Sequence, residues 1–315
     1  MTETDILIVG GGPAGLSAAV NLARSLHTVI IFDSGQYRNA LLPHLHGVPG
    51  WDHEDPATIR TRMHKDLLAR YNTVSIVQTT VTRVNHLSDA RSRFSVVDSE
   101  GREWFGKKLI LATGVSDILP DIPGYKESWV KGIYHCLTSQ GFEERDTDTA
   151  GVLGIGDCAT VFACNRLSRQ ARQLARQVRI YTDGNRELTS QLTDSIDTAR
   201  DNIVIEDRKI ARLSHNPSDT SVTVFLEDGT AITERFLVHK PRMQVNGGFA
   251  EQLGLEMFTF GHEIIKVAAP FHETSLKGCF AIGDCASPQK VFLNALNMGS
   301  FACAGLAAQL QMEVD

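Results

Sequence analysis

The segment at residues 5–33 constrains the fold more than any other part of the chain. The apolar run at residues 6–9 is typical of a buried parallel strand, and apolar residues from Leu16 to Leu26 then recur at helical spacing. A second apolar run follows and ends at Asp33. The pattern predicts a strand, a glycine-rich turn, a helix and a second strand.

The turn between the first strand and the helix has the spacing G-x-G-x-x-G. Gly10 permits the tight turn, Gly12 lets a pyrophosphate approach the backbone, and Gly15 lets helix and strand pack closely. Free N–H groups at the helix amino terminus would face the phosphates. Asp33 stands where a carboxylate would accept hydrogen bonds from a ribose. The segment therefore predicts a dinucleotide site.

Two distant segments indicate which dinucleotide. Residues 278–284 form a short apolar run that ends in Gly-Asp. A glycine- and alanine-rich helix is predicted after it, at about residues 291–310. Residues 111–114, Leu-Ala-Thr-Gly, end another predicted strand. With these motifs the chain resembles the flavin disulfide reductases, in which both segments close over FAD. By that resemblance Asp284 would hold the ribityl chain, and Lys290 and Val291 would lie near the flavin pyrimidine.

Composition excludes several classes of protein. The 315 residues suffice for two domains, and the formal net charge of −6 without a basic run argues against nucleic-acid binding. No apolar stretch is long enough to span a bilayer, and the first strand begins too early to leave room for a leader, so we expect a soluble, cytoplasmic protein. The six cysteines show neither a C-x-x-C pair nor metal-ligand spacing; we expect no metal and mostly buried thiols.

A polar loop follows Asp33. It reads FDSGQYRN and continues with HLHGV and WDH within residues 41–53. These motifs are similar to those of a thioredoxin-reductase-like subfamily that makes disulfides in small molecules, typified by gliotoxin sulfhydryl oxidase, where this region passes along the flavin. Arg38, Asn39 and His46 are thereby candidates for FAD contacts, the alternative being a well-packed connection.

The remainder of the first domain is expected to complete the flavin site. A helix is predicted from Pro56 through Tyr71. Alternating runs at residues 74–84, 94–97 and 104–111 predict a small antiparallel unit that would place Val81 near the adenine. The residues that the resemblance assigns to FAD are Gly10, Gly12, Pro13, Ala14, Gly15, Asp33, Ser34, Gln36, Arg38, Asn39, His46, Val81, Ala112, Thr113, Gly114, Asp284, Lys290 and Val291.

A second nucleotide-binding pattern begins after a stretch rich in proline at residues 117–124. A strand at residues 150–155, a G-x-G-x-x-A turn, a helix at residues 161–177 and a strand at residues 178–182 repeat the first pattern. In the resembling reductases this domain binds NADPH and carries arginines after the last strand. Asp183 in that place would repel a 2′-phosphate, which predicts a disused site, with NAD ribose binding as the alternative.

The two patterns define the predicted architecture. We expect an α/β fold of two Rossmann-like, three-layer nucleotide-binding domains, the second inserted into the first, of the thioredoxin reductase-like type. The predicted FAD-binding domain comprises residues 1–117 and 247–315, and the inserted NAD(P)-binding-like domain comprises residues 118–246. The resemblance also implies a homodimer.

Residues 133–143 carry the chemistry. By the resemblance, Cys136 fills the first position of the family's redox C-x-x-C, Ser139 replaces the second cysteine, and Gln140 replaces a histidine. Serine forms no disulfide, so an internal dithiol relay is excluded. His135 and His44 are candidate bases, together with His46, because histidine titrates near neutral pH.

Three functions are compatible with this site. The first is an FAD-dependent oxidase of a small dithiol, of the diketopiperazine type found in secondary metabolism, in which the substrate supplies both sulfurs and molecular oxygen accepts the electrons. The second is a redox-neutral rearrangement of a disulfide through Cys136. The third is a non-catalytic FAD-binding partner subunit.

Overall fold

The computed structural model describes residues 4–88 and 93–313. The helices are α1 (Pro13–Arg24), α2 (Pro56–Arg70), α3 (Tyr125–Ser128), α4 (Leu137–Gln140), α5 (Val161–Ala171), α6 (Arg186–Ser195), α7 (Thr198–Asp201), α8 (Phe249–Gln252) and α9 (Phe292–Met312). The strands are β1 (Thr4–Val9), β2 (Val29–Asp33), β3 (Val74–Gln78), β4 (Val81–His86), β5 (Phe94–Asp98), β6 (Glu103–Leu111), β7 (Val115–Ile118), β8 (Ile133–Tyr134), β9 (Thr147–Leu153), β10 (Ala175–Tyr181), β11 (Ile203–Glu206), β12 (Ile210–His215), β13 (Val222–Leu226), β14 (Ala231–Glu234), β15 (Leu237–Val238), β16 (Arg242–Val245), β17 (Met257–Phe260), β18 (His262–Ile265) and β19 (Cys279–Ala281).

The chain divides into two compact units. The first unit consists of the chain up to His44, His53–Ser116 and the chain from Met243 onward. The second unit consists of Leu45–Asp52 and Asp117–Arg242, so it is inserted along the sequence of the first. Strands β7 and β16, which contain the chain crossings after Ser116 and after Arg242, pair with each other.

The first unit is built on one large sheet with the strand order β3-β2-β1-β6-β5-β4, and β19 pairs with β6. Strands β3, β2, β1, β6 and β19 run parallel, whereas β5 and β4 run antiparallel. Side chains of the central strands are buried on both faces, which explains their continuous apolar runs. The prediction of one antiparallel unit starting at residue 74 was wrong for β3, because its apolar residues extend the parallel sheet beside β2.

Helices α1 and α9 pack closely in the first unit. A Cβ atom on Gly299 would collide with the backbone of Ala14 and Ala18, so only glycine permits this approach. The interface is lined by buried small residues of both helices, including Ala295 and Ala302. The small-residue face of α9 therefore serves packing within the first unit.

The second unit contains a parallel sheet with the order β11-β10-β9-β15-β8 and an antiparallel sheet β12-β13-β14. Helix α5 starts at the predicted Val161 and ends at Ala171, earlier than the predicted residue 177. Residues from Ala175 already pair with β9, and tertiary pairing overrides the helical pattern there. In the part of the chain that the structure describes, no helix combines the length and the apolar character needed to cross a bilayer.

Candidate functional site

The glycine turn of the first unit has one open and two crowded positions. A Cβ atom on Gly10, whose φ is +118°, would collide with the carbonyl oxygen of Ala112, and one on Gly15 would collide with the carbonyl oxygen of Gly10. A Cβ atom on Gly12 would have no atom within 4 Å. The outer glycines thus pack the turn against the sheet and helix, while the middle one leaves space for a ligand against the backbone.

Helix α1 begins directly at this turn. Gly12 is its N-cap, Pro13 occupies the first turn, and neither a side-chain cap nor an acidic residue is present there. Ala14 is buried, and a Cβ atom on Gly283 would lie 2.9 Å from the Ala14 Cβ. The free N–H groups and the positive end of the helix dipole therefore face the open space and favour an anion such as a pyrophosphate.

Asp33 lies at the end of β2 and is 2% exposed. The Gly35 backbone N–H donates to Asp33 Oδ1 at 3.0 Å and the Tyr37 hydroxyl donates to Oδ2 at 2.6 Å. Burial and the adjacent carboxylate raise the pKa of Tyr37, and His64 Nε2 lies 3.7 Å from Asp33 Oδ2. A carboxylate has about four lone-pair positions, so acceptor capacity remains for ribose hydroxyls. Tyr37 and His64 were not predicted from the sequence.

Arg38 and Asp284 are brought together from opposite ends of the chain. The Arg38 guanidinium lies 3.3 Å from Asp284 Oδ2 and also donates to Met243 Sδ at 3.4 Å. Lys290 Nζ donates to the Asp284 carbonyl oxygen at 2.6 Å and to the Ser287 carbonyl oxygen. These contacts place three residues predicted to contact FAD in one cluster. Val291, the N-cap of α9, is exposed beside it.

The segment at residues 112–114 closes the same unit. The Ala112 N–H donates to the Val9 carbonyl oxygen at 2.8 Å, which continues the sheet up to the glycine turn. Asn246 Nδ2 donates to the Thr113 carbonyl oxygen at 2.9 Å, and the Asn246 N–H donates to that of Gly114 at 3.3 Å. Asn246 was not among the predicted site residues. It holds this segment in place although the inserted unit separates the two in sequence.

The other predicted FAD contacts are more scattered. Ser34 Oγ accepts from the Gln36 N–H at 3.3 Å, Asn39 Oδ1 accepts from Arg60 at 3.4 Å, and Val81 is buried at the start of β4. His46 belongs to the second unit. Its ring nitrogens lie 3.8 Å from Asp52 and 3.9 Å from Glu143.

The glycine turn of the second unit is organised differently. Gly156 has φ +52° and open space at its Cβ position, but it is the first residue of a short 3-10 helix, Gly156–Cys158. Helix α5 begins only at Val161, and the Thr160 hydroxyl caps it by accepting from the Ala163 N–H at 3.2 Å. Asp157 adds a negative charge within the turn. These features disfavour a phosphate at this turn.

Asp183 has a structural role in the second unit. Its backbone has φ +52°, and its Oδ1 accepts from the Ile210 N–H at 2.8 Å. A Cβ atom on Gly184 would collide with the Lys209 side chain, so the turn is also filled from that side. The carboxylate that would have to bind a ribose ties β12 to the turn instead.

Cys136 differs from the other cysteines of the chain. All six are free thiols; Cys136 is half-buried, whereas the others are buried. The Ser139 hydroxyl donates to Cys136 Sγ at 3.3 Å, and Cys136 is the N-cap residue of α4. A hydroxyl donor in this position can stabilise a thiolate, although it cannot form a disulfide with it.

The neighbours of Cys136 are partly structural. The His135 ring lies 5.7 Å, between centroids, from the ring of Trp129. Gln140 is buried; its Nε2 donates to the Val130 carbonyl oxygen at 3.4 Å, and its Oε1 has no hydrogen-bond partner among the described residues. His44, the other candidate base, is exposed in the first unit, where its ring lies 6.4 Å from that of His53.

A buried histidine that the sequence did not indicate supports the second glycine turn. His239 Nδ1 lies 2.6 Å from the Tyr125 hydroxyl, and its Nε2 lies 3.2 Å from the Ile155 carbonyl oxygen. Burial lowers the pKa of His239 to about 4, so the ring is neutral. The carbonyl can only accept, so Nε2 carries the proton and Nδ1 accepts from Tyr125.

The two units and their glycine turns define a class of two-domain nucleotide-binding oxidoreductases. The family model described as pyridine nucleotide-disulphide oxidoreductase matches residues 4–300, and the chain belongs to this family. It is 42% identical over 310 residues to thioredoxin reductase aclD of Aspergillus oryzae, covering 98% of this chain and 97% of that protein. It is 39% identical over 311 residues to thioredoxin reductase sirT of Leptosphaeria maculans, covering 97% and 94%.

A solved structure gives the same result for the fold. The crystal structure of the oxidoreductase from Agrobacterium tumefaciens matches with a TM-score of 0.85 at 26% identity, covering 99% of each chain. The predicted α/β fold of the thioredoxin reductase-like type and the predicted family are thereby confirmed. The protein is an oxidoreductase of this family.

Proposed function

We propose that the protein is an FAD-dependent oxidoreductase that forms a disulfide in a small-molecule dithiol without an internal dithiol relay. The observation that carries the proposal is the environment of Cys136. It is the half-buried thiol of the chain, and the neighbour three residues on is a hydroxyl, Ser139, at 3.3 Å. Because that neighbour cannot act as a resolving thiol, the substrate must supply the second sulfur.

Features of the first unit support FAD as the cofactor. The open space at Gly12, the uncapped amino terminus of α1 and the buried Asp33 suit the phosphates and ribose of a dinucleotide. The Arg38–Asp284 pair and Lys290 offer hydrogen-bonding groups for the remainder. When bound, FAD would accept two electrons from the thiols and pass them to oxygen.

The net reaction balances with one oxygen molecule per disulfide. One dithiol and one O₂ give one cyclic disulfide and one hydrogen peroxide, with both thiol protons ending on the peroxide. In this proposal a mixed disulfide forms between Cys136 and one substrate sulfur, and the two electrons released would be accepted by bound FAD. The second substrate thiol then displaces Cys136 as a thiolate and closes the cyclic disulfide, and the Ser139 hydroxyl stabilises the negative charge on Sγ. The proposed substrate class is a compact dithiol such as a diketopiperazine carrying two thiols.

In this proposal the reaction needs no nicotinamide cofactor, because the second unit lacks a suitable nucleotide site. Its glycine turn carries Asp157 and a helix cap at Thr160, and the Asp183 carboxylate is occupied by Ile210. A nicotinamide dinucleotide would lose the anion-binding contacts that the first unit retains. Oxygen is therefore proposed as the electron acceptor, and the cofactor is reduced by the dithiol alone.

A second candidate, redox-neutral rearrangement of a disulfide, is favoured by the same thiol. A single thiolate with a hydrogen-bond donor suffices for thiol–disulfide exchange, which needs no resolving cysteine and no oxidant. This candidate shares the dependence on Cys136 but consumes no oxygen.

The test is anaerobic reduction of the FAD-loaded protein. A small dithiol, NADH and NADPH are added separately while flavin absorbance is followed. We expect bleaching by the dithiol alone, with colour and peroxide returning on air. Bleaching by a nicotinamide would contradict the second-unit argument. No bleaching, with disulfide rearrangement retained, would favour the second candidate, and no reaction of any kind would leave a non-catalytic flavoprotein subunit.

Two variants connect that test to the site. Cys136→Ala is expected to lower dithiol turnover at least roughly 100-fold, because the exchanging thiolate is removed. Ser139→Ala is expected to lower it roughly tenfold, the order of one charge-assisted hydrogen bond. Both should retain bound flavin, since neither residue lies in the first unit. Wild-type turnover in Cys136→Ala would refute a role for this thiol.

A further inference from the structure

We propose that Lys240 is the cationic partner of Cys136 and stabilises the negative charge on its sulfur during reaction with the substrate. The proposal rests on the proposed function, in which Cys136 forms a mixed disulfide with the substrate, and names a residue that promotes this step. A serine hydroxyl can donate a hydrogen bond to the sulfur but carries no charge, so a cation nearby would supply the larger share of thiolate stabilisation.

Two paired strands bring Lys240 and Cys136 to the same edge of the sheet. Strands β15 and β8 are parallel, with Leu237 opposite Ile133 and Val238 opposite Tyr134. The His239 N–H continues this pairing by donating to the Tyr134 carbonyl oxygen at 3.1 Å. Lys240 and Cys136 each lie two residues beyond the last pair, Val238 and Tyr134, and the Cys136 backbone is also extended. Both lie at the carboxyl ends of parallel strands, where ligands bind in α/β sheets.

The backbone of Lys240 is fixed at this position. The Cys158 thiol donates to the Lys240 carbonyl oxygen at 3.4 Å, from the glycine turn that follows the neighbouring strand β9. Pro241 follows and restricts Lys240 to an extended conformation. His239, immediately before it, is buried and bonded on both ring nitrogens. The backbone of Lys240 is therefore held in place. Its side chain is half-buried.

The charges around Lys240 are consistent with this pairing. Burial and the guanidinium of Arg166 lower the pKa of Lys240, whereas the thiols of Cys136 and Cys158 act in the opposite direction. Removing the partner thiolate would thus leave a partly buried cation that burial disfavours. Titratable and charged groups near the pair include Asp157 and Cys158 in the glycine turn, Arg166 on α5, His239 after β15, and Tyr125 on α3 with Asp117 near it. His135 directly precedes Cys136 in the chain.

Of the two thiols beside Lys240, only Cys136 is open to a substrate. Cys158 is 3% exposed, its thiol is engaged with the lysine carbonyl, and burial raises its pKa. Cys136 is half-buried and has the Ser139 hydroxyl on its sulfur. The cation and the hydroxyl together would hold one reactive sulfur at this edge of the sheet.

The test measures thiol reactivity in the FAD-loaded protein without requiring turnover. Iodoacetamide alkylation of Cys136 is followed by peptide mass mapping over a pH series in wild type, Lys240→Met and Lys240→Arg. The five other cysteines are buried, so the signal comes from Cys136. Near neutral pH we expect Lys240→Met to react roughly tenfold more slowly, with rates converging at alkaline pH where the thiol ionises without help. Lys240→Arg should stay within about threefold of wild type because the charge is retained.

A matched control and the opposing outcomes complete the experiment. Lys131→Met removes an exposed lysine of the same unit and should leave the alkylation profile unchanged. Equal profiles in wild type and Lys240→Met would overturn the proposal. So would a slowing that persists at alkaline pH or that Lys240→Arg shares, since these indicate a structural effect. If the alkylation result holds but no dithiol is oxidised, the Lys240 assignment stands and the oxidase function fails.

Discussion

The two units start with the same pattern, a strand that ends in a glycine turn and leads into a helix, and they differ in what surrounds that turn. In the first unit α1 begins at Pro13, directly after Gly12, with no capping side chain and no acid. In the second unit Thr160 caps α5, and Asp157 lies in the turn. The glycine spacing therefore indicates the shared fold. Whether the turn favours an anion depends on the capping and the charge at the amino terminus of the helix.

The acids that follow the second strand of each pattern also differ. Asp33 lies in the first unit against the glycine turn, since Gly11 has no side chain to displace it. Asp183, in the second unit, is turned onto the Ile210 N–H and its backbone is left-handed. A carboxylate that is already bonded to the backbone contributes less to binding a ribose. In the proposed function this difference corresponds to one nucleotide site that is retained and one that is lost.

The largest expected effect comes from placing the same charge in both glycine turns. Gly12→Asp fills the open space of the first turn with a carboxylate, and we expect FAD affinity to fall roughly 100-fold or more because of repulsion from the phosphates. Gly156→Asp is the matched control, tolerated at its left-handed φ, and should leave flavin content unchanged. For each variant, the flavin content of the purified protein is measured, and the apoprotein is titrated with FAD to obtain the affinity. Equal loss in the two variants would break the comparison.

A second expected effect is the acid sensitivity of the second unit through His239. The unfolded chain protonates this ring near pH 6.5 but the folded chain near pH 4, so its stabilising contribution is complete above the unfolded value and is lost as pH falls toward 4. The free energy of unfolding is expected to fall by about 3 kcal/mol over this pH range because of His239. His239→Gln should flatten the fall in urea midpoint between neutral pH and pH 4, as followed by circular dichroism.

The control for this prediction is an exposed histidine of the first unit. His86→Gln removes a ring outside the second unit's core and should keep the wild-type pH dependence. If His86→Gln and His239→Gln flatten the curve equally, burial of His239 is not the source of the acid sensitivity.

The smallest expected effect concerns the helix cap in the second unit. Thr160→Ala removes the acceptor for the Ala163 N–H and should lower the free energy of unfolding by about 1 kcal/mol, while Thr160→Ser should restore it. NADH and NADPH should still produce no thermal shift in Thr160→Ala, because Asp157 and Asp183 remain. Nucleotide-dependent stabilisation of the uncapped variant would show that the cap alone closes the site.

The first pattern could be predicted from sequence because its determinants are local. Gly10, Gly12 and Gly15 act within a few residues of each other, and Asp33 is placed by the end of β2. The start of α5 at Val161 was also correct, since a capping threonine precedes it. Its end was not, because apolar spacing continues through Leu174 while pairing of β10 with β9 interrupts the helix.

The residues that sequence reasoning missed depend on contacts between distant segments. Lys240 and Cys136 reach the same edge of the sheet only because β15 pairs with β8. Asn246 bonds to Thr113 although the whole inserted unit separates the two residues in sequence. Tyr37 was read only as part of a family motif, although it contacts Asp33 within a few residues. For Tyr37 the available signal was a tyrosine four residues after the acid that ends β2, whereas Lys240 and Asn246 had no signal in the sequence.

The close packing of α1 against α9 has a consequence for how the chain is made on the ribosome. Gly299 and Ala14 come from near opposite ends of the sequence, so the core of the first unit is incomplete until α9 has been synthesised. The segments of the second unit, by contrast, have all emerged once Arg242 is out. Vectorial synthesis would thus let the inserted unit fold while the nucleotide-binding strands of the first unit still wait for their last helix.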